Sequence, residues 1–211
     1  MAVGHASRGD RAARSPTPRE GFRMARSARG WVIFAAVALA AAGSDLFTKD
    51  AIFRVLGMPG TSPPSTIIDG VLWLETNLNE GALFGMGQGM GMVFAAVSVA
   101  AIGGILTMMA RPATRDDPWL VGALGLIVGG IVGNLYDRLG LPGLEWHAPL
   151  ERVGTPVRAV RDWIHVVVPG VIDWPIFNLA DSWLVIGAAM LLVASLRPPV
   201  ADAASPGAAP R

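Results

Sequence analysis

The chain has 211 residues, of which 52% are hydrophobic and only 16% charged, with a net charge of +1 and a mean hydropathy of +0.47; a soluble domain carries ~25% charged residues, so this composition argues for a membrane protein. The absence of cysteine excludes disulfides, Cys-based zinc sites, thiol catalysis and lipid modification on cysteine. The arginines gather in the N-terminal tail rather than on a patterned face, which leaves no reading as a nucleic-acid binder, and His5, His147 and His165 lack metal-ligand spacing.

Residues 1–29 hold seven arginines among Ser, Pro and Gly, a composition expected of a disordered basic tail. The apolar run Trp31–Ser44 then leads into Ser44-Asp45-Leu-Phe-Thr-Lys49. That is not a small-x-small cleavage site, so the run reads as a retained first helix. The positive-inside rule places residue 1 in the cytoplasm. Residues 50–89 follow as an extracytoplasmic segment, broken by Pro59-Gly60 and Pro63-Pro64, with Val71–Asn79 as a short strand of a small β-sheet. Met90–Ala110 and Pro118–Tyr136 each reach the ~20 residues of a spanning helix, joined by a cytoplasmic loop bearing Arg111 and Arg115. A second outer segment, 139–174, with Trp146 and Trp163, suits an interfacial loop or helix. The fourth apolar run, Pro175–Leu196, is interrupted by Asp181, so its helix starts near Asn178–Asp181. Residues 198–211, rich in Ala and Pro, read as a disordered cytoplasmic tail. The expected fold is a mainly α membrane protein: residues 30–197 form four transmembrane helices with a small extracytoplasmic sheet.

With four spans, both termini are cytoplasmic, and Asp45, Lys49, Asp137 and Asp181 all fall at the outer membrane boundary. A carboxylate there is costly unless paired or hydrated, so it reads as functional. Asp137 closes the third run and Asp181 opens the fourth. Two such groups can share a proton and divide the roles of base and acid on one water. Asn134 and Asn178 lie a turn or less from each and can orient a carboxylate or a substrate carbonyl. Gly125, Gly129 and Gly133 recur every four residues, the pattern of close helix packing. Lys49, the sole lysine, shares a helix face with Asp45; it reads as a structural ion pair or as an anchor for a lipid headgroup. A Ser–Lys dyad is disfavoured because Ser44 and Lys49 lie on diverging faces.

Five strings, in order over about residues 30–197, carry a resemblance: Asp45-Leu-Phe-Thr-Lys49, Asn79-Glu-Gly-Ala-Leu-Phe84, Gly129 to Arg138 (Gly-Gly-Ile-Val-Gly-Asn-Leu-Tyr-Asp-Arg), Val160-Arg-Asp162 and Phe177-Asn-Leu-Ala-Asp181. Together they resemble lipoprotein signal peptidase (signal peptidase II), an aspartic peptidase of bacterial inner membranes. The resemblance implies four transmembrane helices with a periplasmic β-cradle and no metal or organic cofactor. It implies cleavage of the signal peptide from diacylglyceryl-modified prolipoproteins, with membrane lipid as the other partner. Carried over residue by residue, it gives Asp137 and Asp181 as the catalytic dyad. Asn79, Gly81, Asn134, Arg138 and Asn178 would shape the site and bind substrate, with Asp162 in the Val-x-Asp block and Asp45 and Lys49 at the margin. Val171-Ile-Asp173 also fits the Val-x-Asp pattern; Asp162 is preferred for its distance to Asn178.

The mechanism expected from a dyad is water activation without a covalent intermediate, with the base not assigned between the two aspartates. A small ion-coupled transporter would instead need midplane polar residues and repeat symmetry, which the chain lacks. An inactive scaffold, with Asp45–Lys49 and Asp137–Arg138 as structural pairs, is the other rival. The stretch Leu139–Arg158 is longer than the family pattern and mixes apolar with charged residues. It is expected to lie in the interface and to form part of the wall through which a lipidated substrate passes.

Overall fold

A computed structural model describes residues 18–81 and 87–197, with only the backbone over 18–27. Helix α1 runs Pro18–Leu56, followed by strands β1 (Ser65–Ile68) and β2 (Leu72–Asn79). Then come helix α2 (Gly91–Met109), the short α3 (Pro112–Arg115) and α4 (Pro118–Arg138). Strands β3 (Val160–Val168) and β4 (Ile172–Phe177) lead to α5, Leu179–Ser195. α2, α4 and the Ala28–Leu56 part of α1 are long and apolar enough to cross a membrane. α5 is apolar but shorter, at 17 residues.

α4 is the centre of the bundle, and glycine makes it so. Its Gly125 and Gly129 face α1 at Phe34–Val37 and at Ala38–Ala42, and Gly133 faces Asp45, so closely that a Cβ at any of them would meet atoms of α1. Gly130 lies against the Ala180 carbonyl of α5, and Gly187 of α5 against Ala123 and Ile127. Small residues on both sides let backbones approach where lipid supplies no hydrophobic drive between helices. Towards the other end, Phe34, Met109, Val121, Leu124 and Val128 form a buried cluster. Asp117 caps α4, accepting from the Trp119 and Leu120 amides at 2.9 and 3.2 Å, with Pro118 at the first helical position.

The strands form one antiparallel sheet in the order β1-β2-β3-β4. In the β2–β3 register Leu72 is opposite Val166, Asn77 opposite Asp162 and Asn79 opposite Val160. Val160, Arg161 and Asp162 are buried, whereas the far end of β3 is exposed. The sheet is thus pinned at one end to the bundle.

Two expectations change. α1 continues past Asp45–Lys49 to Leu56, with Asp50 and Arg54 forming an i,i+4 ion pair at 2.7 Å. It also begins at Pro18, so residues 18–29 of the expected basic tail are helical, as Arg- and Ala-rich sequence permits; residues 1–17 and 198–211 lie outside the described set. Lastly, the second outer segment contributes half the sheet. Val160–Val168 and Ile172–Phe177, rich in β-branched and aromatic residues, flank Pro169-Gly170 with Gly170 at φ +74°, a hairpin signal. Pro175–Phe177 belongs to β4, and the fourth long helix starts at Leu179 with Asn178 as its cap, as expected.

Candidate active site

The site starts from one buried cation. Lys49 has no solvent exposure, and its ammonium pairs with Asp45 Oδ2 at 2.7 Å and with Asp137 Oδ2 at 3.0 Å. It also donates to Asn134 Oδ1 at 2.9 Å. The three donors of an ammonium are thereby matched. The other Asp45 oxygen accepts from the Ala180 amide at 2.9 Å, an amide in the first turn of α5 that has no partner within its own helix. Asp45 therefore ties α1 to the start of α5 across Gly133. Asp137 is equally saturated: Oδ1 accepts from Arg161 Nε at 2.9 Å and Oδ2 from the Arg161 amide at 3.1 Å.

Beside this core lies a cavity of about 660 Å³ between α2, α4, α5 and β4. Its polar end is lined by Asn79, Asn134, Arg138, Asp162 and Asp181; its apolar walls include Ile131, Trp174, Leu184 and Val185. Asp162 and Asp181 are the two carboxyls on it, and Asn178 links them. The Asn178 side-chain amide donates to Asp162 Oδ1 at 2.6 Å and to Asn134 Oδ1 at 3.2 Å. Asn178 also caps α5: its Oδ1 accepts from the Asp181 amide at 3.0 Å, and Asp181 Oδ2 accepts from the Asn178 amide at 3.4 Å. That reciprocal pair is a capping box, and it fixes Asp181 in the first turn of the helix. Asn134 Nδ2 donates to Asp181 Oδ1 at 2.8 Å. Asn79 hydrogen-bonds Asp162 from the end of β2; its own Oδ1 accepts from the Gly81 amide at 3.0 Å. Arg138 reaches over the cavity, donating to the Gly81 carbonyl at 3.2 Å with its guanidinium over the Phe94 ring.

Charge counting predicts a proton here. Asp45, Asp137, Asp162 and Asp181 face Lys49, Arg138 and Arg161, so the cluster is neutral when one carboxyl is protonated. Burial, and then the charge of Asp181, push the Asp162 carboxyl up from 3.8 to about 7. The Asp181 carboxyl accepts from two donors, the Asn134 side-chain amide and the Asn178 backbone amide, and stands in the first turn of α5. The arrangement suits one ionised and one protonated carboxyl on a shared cavity. Among the described residues no three His, Asp or Glu side chains are grouped to hold a metal ion.

The geometry therefore separates residues that the sequence motifs grouped. Asp137, expected in the dyad, is 0% exposed, fully engaged by Lys49 and Arg161, and absent from the cavity lining. Asp162 takes its place beside Asp181. The rival Asp173 is exposed and bonded instead to His165 Nε2 at 2.8 Å. Asn79, Asn134, Arg138 and Asn178 converge on the cavity or on its two carboxyls, with Gly81 held by Arg138; Asp45 and Lys49 lie behind it as a fully buried pair. Ala82–Phe84 of the second string lie outside the described residues. Sequence reasoning missed Arg161. Its only signal was its place between Val160 and Asp162, where strand alternation turns it away from Asp162. No residue from 139 to 159 lines the cavity.

Comparison with known proteins gives the family. The sequence profile described as "Signal peptidase (SPase) II" matches residues 37–197. The chain belongs to the signal peptidase II family. It is similar to the lipoprotein signal peptidase of Rhodopirellula baltica, 44% identical over 186 residues, covering 86% of this chain and 79% of that one. That of Geobacillus thermodenitrificans is 33% identical, covering 77% and 88%. A bacterial membrane enzyme solved by the in meso method at 2.3 Å resolution shares the fold, with a TM-score of 0.62 at 24% identity over 77% of this chain and 87% of that one. As a signal peptidase II family member the chain is a multi-pass membrane protease, and the cavity between α4, α5 and the sheet is its candidate active site.

Proposed function

We propose that this chain is an aspartic endopeptidase that removes the signal peptide from diacylglyceryl-modified prolipoproteins, with Asp162 and Asp181 as its catalytic dyad. The observation that carries this is the pair of carboxyls at the polar end of one amphipathic cavity, joined through Asn178. Asp181, as the carboxylate of the pair, takes a proton from a water. The resulting hydroxide forms a bond to the scissile carbonyl carbon while Asp162 gives its proton to the carbonyl oxygen. Collapse of the tetrahedral intermediate breaks the C–N bond; Asp181 delivers its proton to the leaving amine and Asp162 recovers one from the carbonyl oxygen. No covalent enzyme intermediate is needed. Arg138 and Asn79 hold the peptide and the dyad at the polar end, and the Ile131, Leu184 and Val185 wall accepts the lipid chains.

The same reading puts the site at the outer face of the inner membrane, with both ends of the 30–197 domain in the cytoplasm. Arg111, Arg115 and Arg197 lie at the opposite end of the bundle from the cavity, which supports that orientation. The test is cleavage of a lipidated prolipoprotein by purified Asp162→Asn protein. Loss of a general acid–base group is expected to lower turnover by at least ~10³-fold; turnover near wild type would sink the assignment.

A further inference from the structure

The 139–159 segment folds into a docked arm. Trp146 and Gly154–Thr155 exchange backbone hydrogen bonds at 3.0 Å, and Val157 donates to the Leu144 carbonyl at 2.8 Å. Leu144 and Trp146, like Leu78 of β2, pack against the buried cluster Met58, Val157 and Ala159. At the tip, Arg152 lies 3.9 Å over the Trp146 ring. From there its two terminal nitrogens fork onto the two carboxylate oxygens of Glu80, each at 2.8 Å. Such a bidentate pair fixes orientation as well as distance, and here the stacking ring removes much of arginine's remaining freedom.

What Arg152 grips is the middle of a turn. Glu80 stands between Asn79, which hydrogen-bonds Asp162, and Gly81, whose carbonyl accepts from Arg138. The Gly81 amide donates back to Asn79 Oδ1 and closes the backbone around Glu80, so holding Glu80 from outside fixes where Asn79 and Gly81 stand. We propose that this segment is a positioning arm for the peptidase site, in which Arg152 and Glu80 act as positioning residues that hold Asn79 against Asp162 and Gly81 against Arg138. The inference rests on the Asp162–Asp181 dyad read above. The Asn79 hydrogen bond lowers the Asp162 carboxyl against the opposing effects of burial and Asp181, alongside Asn178 and Lys49, which also lower it. Releasing the turn therefore moves the loss of the Asp162 proton to higher pH.

The experiment uses purified full-length protein in lipid and a lipidated prolipoprotein. Arg152→Ala and Glu80→Ala are each expected to lower kcat/KM about tenfold, chiefly through kcat, as a small misplacement of reacting groups does. The alkaline limb of the pH–rate profile moves to higher pH in both. The double variant is no worse than either single one, because both break the same pair. Exchanging the charges, Glu80→Arg with Arg152→Glu, restores part of the loss. The proposal is overturned if the single variants keep the wild-type kcat/KM and pH profile, if the loss falls on KM alone, or if the two losses add. Asp162→Asn separates the two levels. An inactive Asp162→Asn beside a wild-type-like Arg152→Ala defeats only the positioning arm, whereas an active Asp162→Asn defeats the dyad and the arm with it.

Discussion

Asp137 and Asp162 are both buried, at 0% and 1% exposure, but they answer to different demands. Asp137 is matched by two cations, and removing its charge leaves Lys49 and Arg161 with one acidic partner fewer. Breaking a buried ion pair in this way costs about 3–5 kcal/mol. Asp137→Asn is therefore expected to lower the melting temperature in detergent and to lose activity as it loses fold. Asp162 instead sits against the like charge of Asp181, so Asp162→Asn is expected to be at least as stable as wild type and inactive. An inactive, fully stable Asp137→Asn would restore Asp137 to the chemistry. The pH dependence follows with its sign. The folded chain holds a proton on Asp162 up to about pH 7, whereas the unfolded chain releases it near 3.8. Between those values folding takes up a proton, so stability is greatest at the acid end and falls as pH rises to about 7. His165 runs the same way: burial lowers it, but hydrogen bonds and charges from Asp173 and Glu75 raise it more. The melting temperature of wild type relative to Asp162→Asn, followed across this range, isolates Asp162; a flat difference would remove the shared proton.

Helix packing turns on the glycines of α4. A methyl group at Gly129 would press on Ala41 and the Ala38 carbonyl, and one at Gly133 on the Asp45 carboxylate. Backbone and a buried ion pair cannot give way cheaply, so Gly129→Ala and Gly133→Ala should each destabilise by about 1–3 kcal/mol. Gly103→Ala in α2 has nothing within 4 Å of the new methyl and serves as the matched control, expected to be neutral or slightly stabilising through helix propensity. Equal thermal stability of all three variants would mean that α4 does not pack on α1 this closely. Gly133→Ala should also lower activity, because Asp45 holds both Lys49 and the Ala180 amide that starts the helix bearing Asp181.

For the whole molecule the open matter is orientation across the membrane. α1 is 39 residues long, about 58 Å at 1.5 Å per residue, well beyond a hydrocarbon core of about 30 Å. One end projects towards the sheet and the other past Arg29. The absence of native cysteine makes labelling direct. Cysteines introduced at the exposed Ser62 and Gly143 are expected to react with a membrane-impermeant thiol reagent outside spheroplasts, whereas one at the exposed Ala113 should react only after lysis. The opposite pattern would turn the site to the cytoplasm.

Sequence alone determined the membrane class, the glycine seam of α4, the strand at residues 72–79 and the family. These features are local: apolar run length, spacing by four and short strings each act over a few residues. The same locality leaves the choice of dyad open. Asp137 and Asp162 stand in equally telling strings, and a single string does not say which way its carboxylate turns. Only the tertiary structure decided that, because it brings Lys49 of α1 and Arg161 of β3 onto Asp137 from 88 and 24 residues away in number, leaving Asp162 as the carboxyl with a cavity before it. The hold of Arg152 on Glu80 was illegible for the same reason. Its partners are 72 residues apart, and nothing near either one in the chain marks the other; they meet because β2 and β3 pair and carry the arm between them to the lip of the site.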